Sequence, residues 1–523
     1  EHAALNAVTI TRGVGNAVDS AVEGRRWPAL MNLLLDQWAD MFISNPAHLG
    51  AIAAKIPRFI TGQTGYMLTG LRILNAAGKD GMVLHLPALK PEYSTDRTAQ
   101  RLRADTERLY RKPTARGLTI GLLEISHLRL TGLYKDAGEA ALRLREALHR
   151  AQDSQALNPS LGALVEIHSG LTLHLAARES EARSAYEAGF HLAQVSGKSF
   201  LLADVAGKLA LLHALQGDGA IARQWLDKHE AVIGKVGWGR KMVARTAVMT
   251  RVYLAMCDLD LEAATNELGT LPPTPDNDEL WSVHAYLLAL SSLRKGLPAS
   301  ARLLVEALRR ERAYASTAPL AAGLFDEALL MVSIFEGGVT PLEFKPVQAD
   351  PALTALRHLQ MGRHDAALAV LTDKARRMGA RRWGRLSLYL DVAARNPDGP
   401  TPEAVAILRQ LCSGSADLAE ISYLRMIPGW VTVSDDLGLR PEERLRLETM
   451  VSSSAASHAG RPLLTPREYE ILRQLRSGMT RRQIAESGFR SENTVKTQIR
   501  GLYRKLEAKD VVQALGNARN WGL

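Results

Sequence analysis

The sequence predicts an all-α protein: an array of helical hairpins followed by a small, basic four-helix domain. Three observations carry that prediction. Apolar residues recur at helical spacings of three and four through most of the 523 residues. Along the middle of the chain a turn residue is followed, five positions later, by Ala. The last stretch, from Arg461 to Leu523, packs several capped-helix signals together with a local basic excess.

A chain of 523 residues is too long for one compact core, which implies several domains or a repeat array. The two cysteines, Cys257 and Cys412, lie far apart and form no CxxC. They support neither a disulfide framework nor a metal site, and they fit a reducing cytoplasm. No stretch has the uninterrupted apolar length of a membrane span, and the N-terminus lacks the order of a signal peptide. The chain opens at Glu1 rather than Met, which fits a segment of a longer protein. Its net charge of +10 is uneven: residues 461–523 hold 13 Lys+Arg against 6 Asp+Glu, leaving 52 against 49 in the rest. A basic excess of this kind is the footprint of a nucleic-acid-binding module. The alternative, a solubilising tail, fits less well because the basic residues interleave with regular apolar positions.

In chain order, Trp27 to Phe42 has helical apolar spacing and breaks at Asn45-Pro46. Met67 to Ala77 is a second helix candidate, and Asp80 to Tyr93, with Gly81, Pro87 and Pro91, reads as an exposed connection. From about Arg116 the repeat emerges. Its pairs are Gly217 with Ala222, Asp258 with Ala263, Gly296 with Ala301, Gly362 with Ala367 and Gly399 with Ala404. Ala182 joins the series with Ala177 in place of the turn residue, and the first copy is open between Ala137 and Ala141. Anchors from Ala182 to Ala301 are 40, 41 and 38 residues apart; the step of 66 from Ala301 to Ala367 suggests a degenerate unit near Glu336-Gly337-Gly338. Each unit offers two amphipathic helices that cannot bury their apolar faces alone. The small Ala lets helices approach, and stacking such pairs builds a curved solenoid with an extended surface. The alternative is an unrelated bundle of helical hairpins in which Gly-x4-Ala recurs by chance; six or seven occurrences near one period favour the solenoid.

The repeat resembles tetratricopeptide repeats with a period longer than their usual 34 residues, and it is closer to the helix pairs of MalT-like regulators. This gives a tetratricopeptide-like superhelix for residues 116–450, preceded by a helical region over 1–115. A last helix of the array starts near Pro441-Glu442-Glu443. Residues 451–462, small and polar without apolar period, read as a flexible linker.

Residues 463–523 form the final domain. Thr465-Pro466-Arg467-Glu468 is a capping box with Pro at the first helical position; Ile471, Leu472 and Leu475 give that helix its core face, and Ser477-Gly478 ends it. Thr480-Arg481-Arg482-Gln483 is a second capping box, opening a short helix with Ile484 and Ala485 inward, and Gly488 breaks the chain. Ser491 caps the next helix, which runs to Leu506; a fourth spans about Lys509 to Ala518. At 100° per residue, Val495, Ile499, Leu502 and Leu506 form one apolar stripe, with Asn493, Thr497, Arg500 and Arg504 opposite and Lys496 at the flank. A short helix, a tight turn and a longer basic helix make a helix-turn-helix.

The stretches LTPREYEIL, SGMTRRQIAE and SENTVKTQIRGLYRKL resemble the LuxR-type helix-turn-helix domain, over Leu464 to about Leu523. The resemblance implies a four-helix domain that binds double-stranded DNA. Lys496, Thr497 and Arg500 match positions that approach base edges or adjacent phosphates; Arg500 suits a bidentate contact to guanine and Thr497 a thymine methyl. Thr480, Arg481, Arg482, Thr494, Arg504 and Lys505 match phosphate-contacting positions, with Ser491 and Asn493 on the same surface. Tyr503 and Leu506 read as packing residues. Gly488, Arg490 and Glu507 depart from the family pattern, so the geometry of the turn and of the helix end differs there.

Large regulators of this group often carry an ATPase. The nearest approach to a P-loop is Gly197-Lys198-Ser199, but Leu192 stands where the first Gly is needed, so the stretch reads as a structural turn. No HExxH, GxSxG or Cys/His cluster occurs. The expectation is therefore a cytoplasmic bacterial transcription regulator, not an enzyme, with no cofactor or metal and no membrane association. Its partners are double-stranded DNA, an inducer (small molecule or protein) on the repeats and RNA polymerase, with homo-oligomerisation on DNA. The competing expectation is a protein-interaction scaffold whose DNA binding is secondary.

Overall fold

The computed structural model describes residues 16–44, 46–55, 96–154, 157–258, 260–271, 278–295, 297–312, 317–335, 351–360, 362–372 and 381–413, and beyond these 424, 427, 433, 436–439, 468, 471–472, 474–475, 479–487, 491–506 and 508–520. Among the described residues every regular element is a helix. The helices from the start through the repeats are α1 (Trp27–Ser44), α2 (Pro46–Lys55), α3 (Asp96–Leu109), α4 (Ala115–Leu130), α5 (Tyr134–Ser154), α6 (Pro159–Leu175), α7 (Glu179–Ser196), α8 (Ser199–Leu215), α9 (Gly219–Ile233), α10 (Arg240–Cys257), α11 (Leu261–Thr270), α12 (Trp281–Arg294) and α13 (Pro298–Glu311). They are followed by α14 (Pro319–Phe335), α15 (Pro351–Gln360), α16 (His364–Val370), α17 (Arg381–Arg395) and α18 (Pro402–Ser413). The C-terminal helices are α19 (Arg481–Ser487), α20 (Glu492–Lys505) and α21 (Val511–Asn520). No described helix is long and apolar enough to cross a membrane.

The chain divides into two compact units: one holds residues 1–254, 266–284 and 314–322, the other 255–265, 285–313 and 323–523. In the first, successive helices pack as hairpins, α4 on α5, α6 on α7 and α8 on α9, and each pair packs on the next. One hydrophobic cluster runs through them from Val18 to Val243. Helices α6 and α8 are buried on nearly every side, as a helix clamped between neighbours must be. Gly170 on α6 shows why small residues recur: a Cβ there would stand 2.5 Å from the Tyr186 ring of α7. The second unit has its own cluster around Ala352, Leu356, Ala367, Leu386 and Leu390, where α15, α16 and α17 meet.

The turn that defines the repeat has one geometry. The N–H of Leu133 donates to the carbonyl of Leu128 at 2.9 Å, Arg178 to Leu173 at 2.8 Å, Asp218 to His213 at 2.9 Å, Asp260 to Ala255 at 2.8 Å, Leu297 to Ser292 at 2.9 Å and Arg363 to His358 at 2.8 Å. This is the six-to-one bond that closes a helix stop. Gly132, Gly217 and Gly362 take the left-handed conformation, and Ala177 takes it at φ 55° without being Gly. Four residues after each donor sits the small anchor: Ala137, Ala182, Ala222, Ala264, Ala301 and Ala367 are all at most 2% exposed. The register settles the first copy on Ala137, although Ala141 is buried as well. It also corrects one pair. The anchor after Asp258 is Ala264, not the half-buried Ala263, because the helix stop there lies one residue later than the Asp258 spacing implies. In the last copy Gly399 has φ 127° and Ala404 is buried.

Helix α1 matches Trp27 to Phe42, and Gly197 caps α7 in the left-handed conformation, with Lys198 paired to Asp40 at 3.4 Å. The structural reading of Gly197-Lys198-Ser199 therefore holds. The expectations for Met67 to Ala77, Asp80 to Tyr93, Gly296, Glu336 to Gly338, the helix at Pro441 and the linker 451–462 lie outside the described residues. So do those for Thr465 to Arg467, Ser477-Gly478, Gly488, Arg490 and Glu507.

Candidate nucleic-acid interface

The C-terminal domain is built around the apolar stripe of α20. Val495, Ile499, Leu502 and Leu506 are each no more than 3% exposed. They pack with Ile471, Leu472 and Leu475 of the preceding helical stretch, Ile484 and Ala485 of α19, and Ala514 and Ala518 of α21. The stripe residues are all aliphatic and spaced by three and four, so three short helices can close over one side of α20. Tyr503 packs at the edge of this core, and burial raises its phenol pKa.

Both helix starts are made by the residues the sequence indicated. Thr480 Oγ1 accepts from the Gln483 N–H at 3.3 Å, and the Thr480 N–H donates to Gln483 Oε1 at 2.8 Å, a complete capping box for α19. Ser491 Oγ accepts from the Thr494 N–H at 3.2 Å and lies 2.9 Å from Thr494 Oγ1. Glu492 in the first turn of α20 and Arg504 and Lys505 in its last turn suit the helix dipole. The far end is tied down as well: Asn517 Nδ2 donates to the Leu506 carbonyl at 2.9 Å.

With one side of α20 locked inward, the other is exposed. Asn493, Thr494, Lys496, Thr497, Arg500 and Arg504 all lie on solvent-facing positions, as do Ser491 and, around the start of α19, Thr480, Arg481 and Arg482. Thr497 Oγ1 donates to the Asn493 carbonyl at 3.0 Å, which leaves its methyl to project from the surface. Lys505 differs from the others. It is half-buried and its ammonium donates to Glu468 Oε2 at 2.7 Å, so it ties the end of α20 to the helical stretch that precedes α19. That pair was not legible in the sequence, where Lys505 reads only as one more cation on a basic helix. Gln498, on the flank between core and surface, has an Oε1 with no partner among the described residues.

A short capped helix, a break and a longer helix with one face in the core and a basic, hydrogen-bonding face outside make a helix-turn-helix domain. Residues 462–518 match the family described as "Bacterial regulatory proteins, luxR family", and the chain carries a LuxR-family helix-turn-helix domain there. Over the same region it is 48% identical, across 58 residues, to a "Probable csgAB operon transcriptional regulatory protein" of Salmonella typhimurium and to the "CsgBAC operon transcriptional regulatory protein" of Escherichia coli. It is 47% identical across 60 residues to a "Nitrate/nitrite response regulator protein homolog" of Haemophilus influenzae. Each match takes 11% of this chain and 27–29% of the relative, so the chain spans little more than a quarter of the length of these curated relatives.

Proposed function

We propose that the protein is a cytoplasmic, sequence-specific DNA-binding transcription regulator whose helical repeats receive the signal. The observation that carries this reading is the division of α20: an apolar side fixed by three neighbouring helices, and an opposite side offering Asn493, Lys496, Thr497 and Arg500 with no core role. A helix so presented enters the major groove. Arg500 reads guanine through its two-pronged donor set and Thr497 meets a thymine methyl, with Lys496 and Asn493 beside them. Thr480, Arg481, Arg482, Thr494 and Arg504 surround them and set register on phosphates, with Ser491 capping the helix on the same surface. Lys505 contributes to the same surface from its ion pair with Glu468.

The hairpins of residues 116–450 form a tetratricopeptide-like superhelix, in the manner of MalT-like regulators, and bind an inducer. Self-association then places two domains on paired half-sites, and linkage supplies the affinity that one small domain lacks. RNA polymerase is the partner of the assembled complex.

The test is promoter-DNA binding by the full chain as a function of salt and sequence. Specific binding should fall steeply with salt, and Arg500→Ala should cost about 1–3 kcal/mol on the preferred site while leaving non-specific DNA nearly unaffected. Equal loss on all sequences would make Arg500 a phosphate contact, and binding without sequence preference would overturn the reading.

A further inference from the structure

Helices α4, α6 and α8 are clamped among their neighbours, yet they carry charged and polar side chains that the core pattern does not need. The centre of this group is Arg129, on the last turn of α4, whose side chain is 2% exposed. Every arm of its guanidinium is engaged. Nε donates to Glu279 Oε1 at 2.6 Å and Nη2 to Glu279 Oε2 at 3.2 Å, while Nη1 donates to Thr172 Oγ1 at 2.7 Å and to the His168 carbonyl at 3.3 Å. Thr172 is itself fixed, its hydroxyl donating to the same His168 carbonyl at 2.7 Å. Glu279 comes from 150 residues further along, in the turn just before α12, and its side chain is 23% exposed. The guanidinium is thus rigid and enclosed, whereas the Glu279 side chain it grips is partly exposed.

The surroundings hold hydrogen-bonding capacity that the fold leaves unused. His168 Nδ1 and Tyr186 Oη have no partner among the described residues. His168 keeps some solvent-accessible surface, yet burial, and then the positive charges of Arg129 and Lys208, push its pKa down to about 3, so the ring is neutral and can donate or accept. Lys208 is neutralised by Asp204. Tyr186, fully buried, lies within the electrostatic reach of Asp204, Arg129 and Glu279.

A buried ion pair is a poor means of stabilising a fold, since well-packed apolar residues serve as well or better. A guanidinium with its third arm held by a hydroxyl and a carbonyl, and its fork turned to a carboxylate, is on the other hand a preorganised carboxylate receptor. We propose that Arg129 anchors a binding site for a small carboxylate-bearing ligand, and that Glu279 is the internal carboxylate which fills the site until that ligand replaces it. His168 supplies a second, neutral contact. Replacement releases the turn ahead of α12 from α4, a local change of connection inside the first unit. This names the ligand class for the repeats' sensing role proposed above, and the site itself stands whether or not α20 binds DNA.

The experiment is thermal unfolding of the full chain, without DNA, titrated with sodium succinate, sodium phosphate or sodium chloride at matched ionic strength. Wild type should show a saturable rise in Tm with succinate beyond chloride. Glu279→Gln, which removes the competitor's charge but keeps its shape, should reach half-saturation at a succinate concentration at least tenfold lower. Arg129→Lys, which keeps the charge and loses the fork, should abolish the succinate response in either background. Circular dichroism confirms that each variant is folded; should Glu279→Gln fail to fold, Glu279→Asp withdraws the carboxylate by one methylene and carries the same expectation. No succinate-specific response in the folded Glu279 variant, a response that survives Arg129→Lys, or saturation by phosphate with succinate silent would each overturn the proposal. Because no DNA is present, such a failure is separate from failure of the DNA-binding reading.

Discussion

Ser491→Ala tests how the capping of α20 governs its outer face. Ser491 is exposed and its hydroxyl makes two short-range contacts, accepting from the Thr494 N–H at 3.2 Å and lying 2.9 Å from Thr494 Oγ1. Loss of a Ser cap typically costs about 1 kcal/mol. Nothing else in the core depends on it, so the cost should fall on the first turn, which carries Asn493, Thr494 and Lys496. A free-energy loss of about 1 kcal/mol raises the population of the opened turn about fivefold. Hydrogen exchange of the full chain, read by mass spectrometry on the peptide covering residues 491–497, should show that acceleration while peptides of α21 stay unchanged. Affinity for specific DNA should fall by a similar factor. Ser491→Asn is the control, because Asn caps as well as Ser and adds no charge. It should restore both exchange and affinity. If Ser491→Ala lowers affinity without accelerating exchange, and Ser491→Asn does not restore it, the hydroxyl acts as a phosphate contact and the capping argument is wrong.

Three further outcomes follow from the geometry. Ala177→Gly should stabilise the first unit by about 0.5–1 kcal/mol, since Ala177 sits at φ 55°; relief of about 1–2 kcal/mol of left-handed strain is partly offset by the greater freedom of Gly when unfolded. A lower urea midpoint in the variant would refute it. His168, with its folded pKa depressed to about 3, gives stability that is present above its ordinary value near 6.5 and is lost as pH falls towards 3; the urea midpoint should decline across that window, and less so in His168→Gln. Leu502→Ala, at a fully buried position under α19 and α21, should cost about 2–5 kcal/mol and abolish DNA binding through loss of the domain's structure, seen as rapid exchange throughout residues 479–520.

The parts of this molecule that were legible in its sequence are those with a local period or a local bond. The stripe of Val495, Ile499, Leu502 and Leu506 is a matter of angular spacing, and both caps are bonds between residues three apart, so each is written in the sequence itself. The repeat was legible for the same reason, up to its register. Asp258 resembles the other turn residues in composition, but the chain leaves the helix one residue later, and only the bond from Asp260 to Ala255 reveals it. Ala177 shows the converse: no propensity rule would choose Ala for a left-handed turn, and only its place in the period pointed there. Arg129 was invisible. Its partner lies 150 residues away, and an Arg near a helix C-terminus reads as a dipole-complementing surface cation until the helices around it are stacked.

The same distinction explains why the outer face of α20 can be argued residue by residue. What a surface helix presents is decided by what holds its other side, and here that side is held at every level: four apolar residues in the middle, Ser491 at the start, Asn517 at the end and Glu468 on Lys505 at the flank. Rotating α20 by one residue, 100°, would expose Val495 and Leu502 and break the Lys505 ion pair together. No such rotation is affordable within a domain of about sixty residues, whose whole stability is a few kcal/mol. The positions of Asn493, Lys496, Thr497 and Arg500 are therefore consequences of the core, and a substitution on that face should alter recognition without altering the helix that presents it.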